Sequence, residues 1–150
     1  MKDEVYDVIS YAERWLSRMW DVDSEIRSLD ERRADIIGAK ISNYDPKKIP
    51  GGCDPNPTEA KNIEYATLSA AVAEKSDTLA KENVRTLEAI SKVDEAKLRG
   101  MLVSSYLNRK TWSQIGREYH YEKSRTNDYR IKALQAVYPF IPKGEVDNED

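Results

Sequence analysis

Lys123, Ser124, Arg125, Asn127 and Asp128 stand almost in succession, and Arg130 and Lys132 follow. On a helix the first five share an outward face, with Arg130 and Lys132 on its flanks. These residue types suit the chemistry of duplex nucleic acid. Arginine presents a fork that fits guanine, asparagine addresses adenine, and lysine neutralises backbone oxygens. Arg109, Lys110 and Arg117, a little upstream, lie where they would neutralise phosphates beside a groove. These ten side chains are the candidate DNA-binding set.

The charge pattern supports that choice. The whole chain of 150 residues has a formal charge of −3, which alone would argue against a nucleic-acid partner. Residues 1–96 carry 14 Lys and Arg against 20 Asp and Glu, a net of −6. Residues 97–142 carry 9 against 3, a net of +6, and residues 143–150 carry 1 against 4, a net of −3. Such asymmetry says more about partners than the average does. The competing reading, that the basic segment is merely a solvated face, is weaker because its charges fall in register with the apolar positions.

Other chemistry is poorly supplied. No phosphate loop, nucleophile elbow or pair of catalytic carboxylates is present. Cys53 has no base near it in sequence, and a lone cysteine rules out an internal disulfide. His120 is the one histidine, a turn residue in this reading and not a ligand. Asp21, Asp23 and Glu25 lack the histidine or glycine loop of a metal site. The expectation is a protein that is not an enzyme and takes no cofactor, metal or small-molecule substrate.

The elements that must position the basic face are helical throughout. Val5, Val8, Ala12, Trp15, Met19, Val22, Ile26 and Leu29 recur in alternating steps of three and four, and no glycine or proline intervenes before Gly38. This predicts one helix over residues 3–42, on the order of 60 Å long. Trp15, Met19 and Trp20 then belong to a hairpin core or dimer seam. The run NYDPKKIPGGCDPNPT, with four prolines, is a loop. Tyr65, Leu68, Val72, Leu79, Leu87 and Ile90 mark a second long helix ending near Lys92. The two form an antiparallel, coiled-coil-like hairpin, and its exposed stripe predicts a homodimer.

From Val93 the elements shorten. VDEAKLRGMLVSSYL reads as one helix with Leu98, Met101, Leu102 and Tyr106 inward. Thr111 caps a second, ending near Tyr119, and a third runs from Lys123 to Tyr138. Three short helices with tight turns are the layout of a helix-turn-helix domain. Gly116 after Ile115 then has a purpose, because the second and third helices must nearly touch. Thr126, Tyr129 and Leu134 form the inner side of the third helix, while Trp112 anchors the second on Leu102 and Tyr106.

The division that follows is a hairpin for oligomerisation over 1–92, a DNA-binding domain over 93–142 and an acidic, disordered tail over 143–150. No run approaches the roughly 18 apolar residues of a membrane span, and the acidic N-terminus is unlike a signal peptide. A cytoplasmic protein is expected.

The run YLNRKTWSQIGREYHYEKSRTNDYRIKAL resembles the C-terminal helix-turn-helix of small phage regulators of the ArpU/RinA type. These are similar in turn to the promoter-reading region of sigma factors. A long helix, a proline-rich loop and a second long helix upstream also match that layout. The resemblance implies a phage-encoded, sequence-specific regulator of transcription in a host bacterial cell, an activator of late genes with RNA polymerase as a partner. His120 stands where such proteins carry glycine, and Glu122 where they carry a serine or threonine cap. Two other readings compete: a DNA-packaging protein like a small terminase subunit, and a helical module that sequesters a partner.

Overall fold

The computed structural model describes residues 2–42 and 57–143. All regular elements among them are helical: α1 (Lys2–Leu16), α2 (Trp20–Ser42), α3 (Pro57–Ser91), α4 (Ala96–Leu102), α5 (Trp112–Tyr119) and α6 (Lys123–Val137). A π-helical turn, Val103–Leu107, continues α4, and a 3₁₀ turn, Tyr138–Phe140, follows α6. The chain is thus all-α, with a long hairpin ahead of three short helices, as its periodicity predicts. The proline-rich loop with Cys53 falls largely, and the tail beyond Lys143 wholly, outside the described residues.

Two compact units divide the chain: residues 20–80, and residues 1–19 together with 81–150. In the first, α2 pairs with the N-terminal part of α3. Lys75 Nζ lies 2.5 Å from Glu25 Oε1, and Arg32 Nε lies 2.7 Å from Glu64 Oε1. Numbers that rise on one helix fall on the other, so the pair is antiparallel. Ile26 and Ile36 are buried and Tyr65, Leu68, Val72 and Leu79 half-buried, which is the inner stripe of the hairpin. These exposed ion pairs are screened by solvent and chiefly fix register.

The second unit differs from the expected division. The reading of residues 1–92 as one oligomerisation arm places a boundary at 92, whereas α1 and the end of α3 belong to the same unit as the helix-turn-helix. The expected single helix over 3–42 is also interrupted, at Ser17–Met19. No proline or glycine causes the break; side chains capture the carbonyls at the end of α1. Ser17 Oγ donates to Glu13 O at 2.8 Å, and Arg18 Nη1 donates to Trp15 O at 2.8 Å. Arg18 reaches on to Thr86 Oγ1 at 2.9 Å and Glu82 Oε2 at 2.9 Å, its guanidinium 3.9 Å above the Trp15 ring. Burial raises the Glu82 carboxyl, but hydrogen bonds from Arg18 and Arg85 outweigh it and hold the group below its ordinary value.

Helix α1 packs on α6 and on the 3₁₀ turn. Tyr11 Oη donates to Pro142 O at 2.9 Å, and its ring meets Tyr138 edge-on at 5.8 Å. Ala12, Trp15 and Leu16 are buried in the same core as Leu98, Met101, Leu102, Ile115, Leu134 and Val137. Two details correct the seams. Thr86 takes the inward place on α3 and Leu87 is 48% exposed. Val5, at the start of the first seam, is 38% exposed.

Candidate nucleic-acid interface

Local chemistry fixes α5 and α6. Gln114 N donates to Thr111 Oγ1 at 3.1 Å while Thr111 N donates to Gln114 Oε1 at 2.9 Å, a reciprocal cap that starts α5. His120 ends it with φ 60° and ψ 39°, the left-handed conformation that glycine adopts most easily. Its N–H donates to Arg117 O at 3.2 Å and that of Tyr121 to Gly116 O at 2.8 Å. Glu122 starts α6 without a side-chain cap; its carbonyl instead accepts from Thr126 N and Thr126 Oγ1, each at 2.9 Å.

The helix crossing is as tight as Ile115-Gly116 implies. A Cβ on residue 116 would overlap Thr126 Oγ1 and stand 3.1 Å from its Cγ2. Trp112 meets Tyr106 edge-to-face at 6.3 Å, which ties α5 to the π-helical turn that continues α4.

Two rows of side chains run along α6. Lys123, Asn127 and Arg130 border α5, where with Arg117, Ser113 and Trp112 they line a cleft of about 370 Å³. Arg125, Asp128 and Lys132 occupy the other side, with Ser124 between the rows. Lys123, Ser124, Arg125, Asn127, Asp128 and Lys132 are all exposed, as are Arg117 and Arg109. The structure therefore brings eight of the ten candidates to an open surface around the start of α6 and its turns.

The other two are engaged by acids of the chain itself. Lys110 Nζ lies 2.9 Å from Glu118 Oε1. Arg130 Nη2 lies 2.6 Å from Glu13 Oε2, a contact from α1 across 117 positions of sequence. Tyr106 donates to the same carboxylate, to Oε1 at 3.2 Å. Burial, then the charge of Glu13, pushes the Tyr106 hydroxyl well above the usual phenol range, so it stays a neutral donor.

Arg125 is exposed but not idle. Its guanidinium lies 4.2 Å from the centre of the Tyr121 ring, which stacks on Tyr129 at 5.1 Å and on Tyr119 at 5.6 Å. The Arg125 guanidinium, then Tyr121, lowers the Tyr129 hydroxyl from its ordinary value. Lys97 completes this cluster, its Nζ donating to Tyr121 Oη at 2.8 Å. Sequence reasoning assigned no role to Lys97 or Glu13, and nothing local could reveal the second. Among the described residues no group of acids, His and Cys is arranged to hold a metal ion, and no helix is long and apolar enough to cross a membrane.

Comparison of the chain with protein-family models, with curated proteins and with solved structures gives no match.

Proposed function

We propose that the chain is a sequence-specific regulator that binds double-stranded DNA as a homodimer, with α6 in the major groove. The supporting observation is the exposed face Lys123, Ser124, Asn127 and Asp128 at the start of α6, flanked by Arg117 and Lys132. Base-reading donors would stand there beside phosphate-neutralising cations, on a helix that crosses α5 closely at Gly116. The likeness to ArpU/RinA-type phage regulators extends the reading to late-gene activation in the cytoplasm of a bacterial host, with RNA polymerase as a further partner.

Selection of bound duplexes from a random pool, followed by anisotropy titration, tests it. Asn127→Ala relaxes preference at one base pair and costs roughly 1–3 kcal/mol on the selected site. Lys132→Ala weakens all sequences alike and lowers the salt slope by about one. A full-length chain that enriches no sequence and ignores duplex DNA at low ionic strength overturns the proposal.

A further inference from the structure

Helix α3 carries a second stripe opposite the one it buries. Positions 63, 66, 70, 73, 77, 80, 84 and 87 recur in steps of three and four, and every one is exposed. Ile63, Val84 and Leu87 are 63%, 54% and 48% exposed, and four of the remaining five are alanine. A helix with one buried stripe ordinarily turns charged and polar residues to the other side. This one presents a heptad seam on a single uninterrupted helix, Pro57–Ser91.

We infer that this seam pairs α3 with α3 of a second copy, antiparallel about a two-fold axis. Size and charge both select that arrangement. Between positions 70 and 87 the stripe opens with Ala70 and Ala73 and closes with Val84 and Leu87, so antiparallel packing sets these small residues against large ones. Ala73 faces Val84 and Ala70 faces Leu87 of the second copy, which fills the space that alanine against alanine would leave. The same register places Glu74 opposite Lys81 of the second copy, and the symmetry makes that pair twice. Lys81 keeps its own-chain interactions in doing so, because an ammonium offers three donors. Parallel pairing in register would instead press Asp77 against Asp77.

The inference rests on the homodimer proposed above and names its contact. Sedimentation of the full chain, 17.2 kDa per copy, gives the mass of two copies. In a Cys53→Ser background, mild oxidation of Ala73→Cys/Val84→Cys gives a covalent dimer, whereas either cysteine alone gives none. The two cysteines cannot close on one helix, being roughly 16 Å apart along it. Glu74→Lys and Lys81→Glu each weaken dimerisation roughly tenfold, and the two together restore it. Circular dichroism verifies that each variant keeps its helicity. A monomer, a ring of eight or more copies, full cross-linking by Ala73→Cys alone, or no recovery in the charge swap overturns the pairing. All of these are read without DNA: a monomer that still selects DNA removes the homodimer and this pairing but leaves the DNA reader, and a dimer that ignores DNA removes only the regulator.

Discussion

Replacing Gly116 by alanine sets two effects of opposite sign against each other. Alanine in a helix interior is favoured over glycine by about 1 kcal/mol. The added Cβ, however, would overlap Thr126 Oγ1 and stand 3.1 Å from Cγ2 and 3.2 Å from Cβ. Thr126 is 7% exposed, and its hydroxyl is committed to Glu122 O at 2.9 Å. Turning it away sacrifices a hydrogen bond of about 1 kcal/mol, and pushing α6 outward disturbs a packed core at about 1–3 kcal/mol. The clash wins, and Gly116→Ala destabilises the fold by roughly 1–3 kcal/mol. Urea unfolding followed by tryptophan fluorescence then shows a midpoint lower by about 1 M at an unchanged slope. Gly116→Ala/Thr126→Ala recovers part of the loss, since only the Cβ contact remains, so the two changes are not additive. A Gly116→Ala protein as stable as its parent would mean that the close crossing is not what keeps glycine there.

Glu13→Gln removes the carboxylate that holds Arg130 at 2.6 Å, releasing a cation at the edge of the α5–α6 cleft. DNA affinity rises several-fold and the salt slope steepens by about one, both measurable by anisotropy across a salt series; an unchanged slope would leave Arg130 outside the interface. His120→Gly relieves a left-handed φ of 60° and raises stability by roughly 0.5–1 kcal/mol, the gain being limited by the greater freedom of glycine in the unfolded chain. A urea midpoint that falls instead would show that the imidazole itself supports the turn.

What was legible in the sequence was what neighbours along the chain decide. Thr111 and Gln114 cap each other three residues apart, the left-handed turn lies at His120 where α5 must stop, and Gly116 lies at the crossing. The hairpin is likewise written in a repeating stripe. The misplacements arose where partners are distant or alternatives lie side by side. Thr86 and Leu87 differ by one position, and hydropathy favours Leu87 for the core, yet Thr86 satisfies its hydroxyl on Glu82 O at 3.1 Å and bonds to Arg18. The break at Ser17–Met19 carries no helix-breaking residue, since its cause is an arginine drawn toward α3. The packing of α1 on α6 brings Glu13 to Arg130 with no local mark of either partner.

That last contact changes how the charge division should be used. Of nine cations in residues 97–142, at least four are already engaged by hydrogen bonds or ion pairs of the protein, and Arg125 lies over the Tyr121 ring. Lys97 donates to Tyr121, Arg99 to Val93 O and Asp94 O, Lys110 pairs with Glu118, and Arg130 with Glu13. Fewer than half would therefore be left for phosphates and bases under the proposed function. In that reading a net of +6 gives the sign of the partner and the face it would meet. The strength of such an encounter would depend on which cations the fold has already engaged. One acid on α1 holds one of them, so under the proposed function the N-terminal helix would belong to the DNA-binding unit and not only to the arm.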